Sequence, residues 1–583
     1  MKYFKILFLC AALAIIGYAC KKSFLDKAPL GSLDPTALAN KNGVNGLLIG
    51  AYSLMDGVGG INTIYGPSGP WASAASNWIY GSVAGTEAHK GSSLGDQPEI
   101  TPIETFSPTS TNPDIWGKWQ IVYDGVGRSN DVIRTAALAT DLSASELTEI
   151  LSEARALRAW YHFEAKKMWN KIPFVDETIT YGANNYLIGN DVDAWPLIED
   201  DLKFAVANLP TVQTQVGRFN KYSTEAVLAK AYMFQHKYAD AKPLLEDIIN
   251  SGKYSLVHYH ENFDIVNKNN TETLLAAQSS VNDGANGGNS NLGDILNFPY
   301  GGSPGICCGF FQPSQYLVNH FKTDATTGLP DLDNFANTDV TNDMGKLSTD
   351  PFTVYPGTLD SRLDWTVGRR GLPYLDWGIH PGNDWQRAQS DGGPYSPVKN
   401  LYNNAQIGKL TDASYWSPGA TANVINLIRY ADVLLWAAEV EIEIGSLEKA
   451  RTYVNQVRAR AADPAGWPKK YLNDATPEAG FSNTPAANYK VGLYPATWVD
   501  KVFATKAVRF ERALELGMEG HRFFDLVRWG IAPTEIPQYF AKEKNITNYL
   551  TAGQFTAGKN EYFPIPQAEI DKSGGKLVQN PGY

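Results

Sequence analysis

Helical periodicity fills two blocks of this chain and is nearly absent from 267–420 between them, and that interruption constrains the fold more than any single motif. In the first block Ala226, Ala229 and Tyr232 recur along a helix predicted over 222–236, and Ala241, Leu244, Leu245, Ile248 and Ile249 mark a partner over 238–250. Small residues at this spacing let two helices approach closely, so the pair reads as one unit of a stacked, tetratricopeptide-like array. The second block repeats the arrangement: 423–444 reads helical, Gly445 breaks it, and 447–461 reads helical again. Further helices are predicted over 116–139, 145–169, 196–209 and 498–520. Another is led by Asp34 as cap and Pro35 in the first turn, and runs through Val44, Leu47, Leu48 and Tyr52. The tail, 562–566 and 580–583, reads extended because of its prolines. The expected fold class is mainly α. A tetratricopeptide-like scaffold occupies about 36–56, 114–266 and 421–530, and loop-rich inserts occupy about 57–113 and 267–420. Together they form a single body over 36–583.

The first residues have a different character. Met1 to Lys5 carries two lysines, 6–16 holds no charge, and Gly17, Tyr18, Ala19 and Cys20 follow. A positive start, a short apolar run and a small residue define a secretory signal over 1–19. The run is shorter than the roughly 20 residues that span a bilayer. Cys20, directly after Ala19, adds lipoprotein processing: Cys20 becomes the acylated first residue and 20–35 a polar tether. An ordinary signal peptide is the alternative, since Gly17 and Tyr18 depart from the usual lipobox. The remaining cysteines are Cys10, inside the apolar run, and the adjacent Cys307 and Cys308 in a Gly-rich loop over 301–309. With no CxxC pair there is neither a disulfide framework nor a zinc site, and Cys307 and Cys308 suit a vicinal disulfide or two free thiols equally.

Several function classes drop out. Fifty Lys and Arg against 61 Asp and Glu leave a formal net charge of −11, with no basic block for nucleic acid. There is no GxxxxGK[ST] phosphate loop, and 57–60 is a turn rather than a dinucleotide fingerprint, so no cofactor is expected. His258, His260 and Glu261 do not form HExxH. On a strand-like stretch their side chains would alternate faces, so a surface loop and no metal are expected. Glu511, Glu515 and Glu519 share a helix face near Arg512, Arg522, Asp525 and Arg528. Paired carboxylates can hydrolyse glycosides. Three like charges need cations, however, and the neighbouring arginines supply them, so an ion-pair lock around Gly520 is expected instead. No catalytic residue is predicted, and the chain does not read as an enzyme.

Aromatic content points to a ligand. There are 15 Trp and 30 Tyr beside 6 Met, many of them in Gly-, Pro- and Asn-rich stretches. Sugars present apolar C–H faces that stack on such rings, while Asp, Asn, Arg or Gln at the rim meet their hydroxyls. Trp71, Asn77, Trp78 and Tyr80 form one candidate ligand cluster. Arg369, Tyr374, Asp376, Trp377, Trp385 and Arg387 form a second, and Trp416 is a third candidate. Against each stands the alternative that the ring packs its loop onto the scaffold, because Trp is highly buried on average.

Ordered landmarks resemble a known family. CKKSFLD over 20–26, NGLLIGAY over 45–52, EARALRAWY over 153–161, and IRYADVLL over 428–435 followed by Ala438 and Glu439 are similar to SusD/RagB lipoproteins. So are NQVR over 455–458, the set Glu511, Arg512, Glu515, Leu516, Glu519 to Arg522 and Asp525 to Trp529, FPIP over 563–566, and QNPGY over 579–583. Asp432 stands where the family carries an acid. The weak lipobox is the clearest departure. The resemblance implies a tetratricopeptide-like scaffold held on the outer membrane by its lipid and facing outward. It also implies a SusC-type TonB-dependent transporter as partner and an oligosaccharide or polysaccharide as cargo. The expected function is capture of a glycan at the cell surface. Peptide capture on the same scaffold is the alternative; it predicts a groove with backbone pairing and fewer exposed Trp. A secreted glycosidase is a third, and needs opposed carboxylates about 5 to 9.5 Å apart.

Overall fold

Several of the long helices start where a side chain takes up free N–H groups of the first turn. The computed structural model describes residues 35–58, 68–180, 187–301, 304, 307–417 and 419–583. Asn40 caps α1 (Lys41–Tyr52), its side-chain oxygen accepting the Gly43 N–H at 3.0 Å. The start expected at Asp34 is only a short 3-10 turn, Pro35–Leu38, and Asp34 lies outside the described residues. Asn112 caps α2 (Pro113–Ala136), which therefore begins before Trp116. Ser143 and Glu146 form a capping box on α3 (Ala144–Trp169). There follow α4 (Trp195–Asn208), α5 (Lys221–Phe234) and α6 (Tyr238–Asn250), then α7 (Tyr430–Ile444), α8 (Leu447–Ala462), α9 (Lys501–Leu516), α10 (Arg522–Arg528) and α11 (Ala532–Glu543). α10 was not expected from the sequence, nor was α11. Pro533 sits in its first turn, where no N–H is needed, and Pro537 removes one hydrogen bond without ending the helix.

Each helix from α2 to α8 packs on the next in order, α6 lies against α7, and α9 packs on both α7 and α8. The two helical blocks thus form one continuous tetratricopeptide-like stack despite the long interruption. Ala226, Ala229 and Ala231 on α5 and Ala431 and Ala438 on α7 have no exposed surface, which is the close approach their size permits.

The helix expected from Asn423 is replaced at its start by a strand. β4 (Ile425–Arg429) pairs antiparallel with β2 (Thr273–Ala277), Arg429 opposite Thr273 and Ile425 opposite Ala277. A short apolar run with β-branched residues suits either state, and the available partner decides. This pair closes the second insert at its neck, so a chain excursion of great length leaves and re-enters the stack through one two-stranded ribbon.

The two inserts differ. Residues 68–92 are almost wholly buried and run through the interior rather than over it. Their π-helical turn, Trp78–Val83, is followed by β1 (Ala88–Gly91), which pairs with β3 (Phe310–Pro313) of the second insert. The second insert has a small core of its own: Ile265, Phe298, Tyr374, Val398, Leu401, Tyr402 and Ala422.

Charged groups join that insert to the stack, and not as expected. Glu511 and Glu515 are buried and Glu519 is partly so, but Arg512, Arg522 and Arg528 do not neutralise them. Arg362 of the insert donates to Glu511 and Glu515, each at 2.8 Å, and Arg458 on α8 donates to Glu511 at 2.7 Å. Arg429 and Lys399 hold Glu519 at 2.9 and 2.6 Å. Arg512 turns away to Asp432 and Asp525, at 2.6 and 2.8 Å, because adjacent residues of a helix do not share a face.

Candidate functional site

The first aromatic cluster is part of the core, which corrects the expectation that it meets ligand. Trp78 has no exposed surface and its indole N–H donates to the Gly293 carbonyl at 3.1 Å. Tyr80 is buried, its hydroxyl donating to the Asp114 carbonyl at 2.9 Å and its ring set against Phe563. Trp71 is buried, and so is Asn77, whose amide donates to Glu164 at 3.2 Å. The cause is a backbone crossing. A Cβ on Gly81 would lie 1.9 Å from the Gly520 carbonyl oxygen, and the Gly520 N–H donates to Ser82 Oγ at 3.0 Å. Two glycines let the first insert pass beneath the turn between α9 and α10, and its rings go inside with it.

The second cluster divides. Arg369 is buried, holding Asp364 through two hydrogen bonds of 2.7 and 2.9 Å. Tyr374 is buried, its hydroxyl donating to the Pro397 carbonyl. The Asp376 carboxylate accepts the backbone N–H groups of Asn404 and Ala405 at 2.6 and 3.1 Å, so it caps a turn. Trp377 is half-buried, donating to the Tyr402 carbonyl at 2.8 Å and standing edge-on to that ring. None of Arg369, Tyr374 or Asp376 presents a free group to a ligand, because each is used in building the loop.

Trp385 and Arg387 are presented differently. Trp385 packs one edge against Tyr374 and His380, with ring centres 5.4 and 5.1 Å away, and stays half-exposed. Burial takes His380 down to about 3, so the ring under Trp385 is uncharged. The Trp385 carbonyl accepts the Tyr300 N–H at 3.0 Å, and the exposed Arg387 guanidinium lies 5.1 Å from the Tyr300 ring centre. Arg387 also donates to Ser92 Oγ at 3.0 Å and pairs with Asp96. Lys90, which burial takes down to about 8, holds that loop by donating to the carbonyls of Ser93 and Asp96 at 2.7 and 2.6 Å. Three segments distant in sequence therefore converge on one platform: Ser92 and Asp96, Tyr300, and Trp385 with Arg387. Tyr300 is 37 % exposed and was not singled out from sequence, although its place beside Gly301 marked it.

Cys307 and Cys308 form a vicinal disulfide next to this platform. The following N–H groups, of Cys308 and Gly309, donate to the Leu296 and Phe298 carbonyls at 3.1 and 2.8 Å. Gly309 is flanked by Tyr300 and Arg387, so the disulfide loop abuts both. Trp416 is the most open of the candidate rings, 51 % exposed, and rests on Tyr415 in a different loop. Cys20 lies outside the described residues.

A family model described as the SusD family matches residues 271–583. The chain is similar to a SusD-like protein of Bacteroides ovatus, 26 % identical over 305 residues, which are 47 % of this chain and 49 % of that one. The match thus spans about half the length of that relative. SusD-like protein P25 of Formosa agariphila is 23 % identical over 532 residues, 88 % of each chain. Among solved structures, surface glycan-binding protein A from Bacteroides thetaiotaomicron in complex with laminarihexaose superimposes with a TM-score of 0.63 at 20 % identity. That match covers 93 % of this chain and 99 % of that one.

Proposed function

This chain belongs to the SusD family, and from that premise we propose that it binds a glycan at a bacterial cell surface and passes it on unaltered. The observation that carries the proposal is the platform of Tyr300, Trp385 and Arg387. Exposed ring surface there stands beside a guanidinium, a carboxylate and a hydroxyl, the pairing that an apolar sugar face with polar edges requires. The relative from Bacteroides thetaiotaomicron, solved with laminarihexaose, supports a β-glucan-like oligosaccharide as the first ligand to try. The three glutamates of α9 and the turn after it, the best acid–base candidates in the sequence, are all held in buried ion pairs, which favours binding over hydrolysis. On this reading Cys20 carries the lipid that keeps the protein on the outer membrane, facing outward. A SusC-type TonB-dependent transporter is the partner that receives the cargo.

The test is calorimetry of the purified protein against laminarihexaose, cellohexaose, maltohexaose and xylohexaose, with Tyr300→Ala and Arg387→Ala alongside and chromatography of the sugar afterwards. Binding to one glycan class, weakened about tenfold by Tyr300→Ala, and intact sugar recovered, is the expected result; tenfold corresponds to about 1.4 kcal/mol. Binding that ignores both substitutions would remove the platform from the proposal, and no binding at all would remove the glycan.

A further inference from the structure

Outside the platform the chain builds a second aromatic cleft. It is a hollow of about 310 Å³ lined by His260, Phe263, Trp365, Trp467 and Phe481, with Leu375, Val398 and Leu401 as its floor. The floor belongs to the same small core that supports Trp385, so cleft and platform are two faces of one insert. The walls come from four separate places: the 3-10 turn Tyr259–Asn262, the helical turn Leu363–Thr366, the segment after α8, and β6 (Phe481–Pro485) of a hairpin with β5 (Lys469–Tyr471).

The two indoles are fixed and their N–H groups are satisfied by backbone, whereas His260 Nδ1 is buried without a hydrogen-bond partner. Trp365 donates its indole N–H to the Gly466 carbonyl, and Trp467 donates to the Ala461 carbonyl, both at 2.9 Å. His260 stacks on Trp365 with centres 4.6 Å apart and an angle of 22°. Phe481 stacks on Tyr471 and remains 45 % exposed. An exposed Phe beside two half-exposed indoles is a patch that soluble surfaces avoid unless it binds something. At the rim stand Asp264, Asn403 and Lys469. Asp264 already accepts from the Gln406 amide at 2.8 Å and Lys469 already donates to the Pro464 carbonyl, while burial lowers His260 and keeps it uncharged. The rim carries one carboxylate and one ammonium, so its net charge is zero and it suits a neutral ligand. A saturated ring with apolar faces and hydroxyl edges satisfies both walls and rim. An acyl chain would set methylenes against the rim's polar groups, and a phosphate would meet the Asp264 carboxylate as well as Lys469.

We propose that this cleft is a second glycan subsite, separate from the platform, which takes a short stretch of a neutral oligosaccharide between Trp365, Trp467 and Phe481. The proposal rests on the glycan reading above, and goes beyond it by assigning a site and residues of its own. Two substitutions test it without opening the core. Phe481→Ala removes an exposed wall, and Ala465→Trp fills the cleft from an exposed turn. Both are titrated calorimetrically with the same four hexaoses, beside Tyr300→Ala, with circular dichroism to check folding. The expected result is two hexaose molecules bound per wild-type protein and one per Ala465→Trp, with Tyr300→Ala and Phe481→Ala each weakening a different one of the two events by roughly tenfold. If Ala465→Trp and Phe481→Ala bind like wild type while Tyr300→Ala binds more weakly, the cleft is not a subsite and the platform stands. If Tyr300→Ala has no effect and the cleft variants abolish binding, the cleft is upheld and the platform falls. If no hexaose binds the wild-type protein, both fall together.

Discussion

The two inserts share a composition and have opposite fates. Residues 68–92 and 369–402 are both rich in Gly and aromatic residues, and both looked like ligand loops. The first is sandwiched between the helical stack and the second insert, so Trp78 meets Phe310 and Phe311, with ring centres 6.3 and 5.5 Å away, and has nothing left to show. The second has the stack on one side only. Its small core buries Tyr374 and Tyr402 but leaves Trp377 and Trp385 half open. An aromatic side chain in a loop therefore announces that a flat partner exists. Whether that partner is protein or ligand depends on how many layers lie over the loop.

Substitutions can break or sharpen this contrast. The largest effect is expected at the join between second insert and stack. Arg362→Ala leaves Asp360, Glu511 and Glu515 buried with one cation fewer, and should cost about 3–5 kcal/mol in urea unfolding. A loss under 1 kcal/mol would mean that the insert is held by apolar packing alone. Trp78→Ala, in the first insert, should cost a similar 3–5 kcal/mol through the cavity it leaves, with glycan binding intact wherever the protein is folded. A stable variant with lost binding would return Trp78 to the ligand site.

A pH effect of intermediate size belongs to the first insert. His89 on β1 is fully buried between Glu104 and Glu543, each at 3.0 Å. Burial opposes its charge, yet the hydrogen bonds and charge of the two carboxylates outweigh that and raise it to about 9. A group raised in the folded state stabilises fully below its unfolded value, about 6.5, and loses that contribution as pH climbs through about 9. Thermal melts should therefore show stability falling between pH 6.5 and 9, and His89→Gln should flatten that slope; an unchanged slope would place the titration elsewhere. The smallest stability effect is expected on the platform. Tyr300→Ala should change unfolding by less than about 0.5 kcal/mol, as surface substitutions do, while it weakens glycan binding.

The parts that were legible in the sequence are those set by neighbours along the chain. The helix over 238–250 and the start of α8 at Leu447 stand where their periodicity and breakers put them, and α3 begins at Ala144, one residue before its predicted start. Misreadings occur where a distant segment decides. Ile425 to Arg429 is a strand because Thr273 to Ala277 lies alongside. The partners of Glu511 and Glu515 come from Arg362, Arg429 and Arg458 because Arg512 projects from another side of its helix. Tyr300 and Asp96 become neighbours of Arg387 only once β1 has paired with β3.

By itself, then, the sequence determined a stack of helices, its interruption, and a surplus of aromatic side chains in loops, because helix caps and periodicity act over a few residues. Only the tertiary structure decided which rings face outward. Burial depends on what lies above a side chain, and here that is set by one crossing of Gly81 and Gly520 and one strand pair at the neck of the second insert.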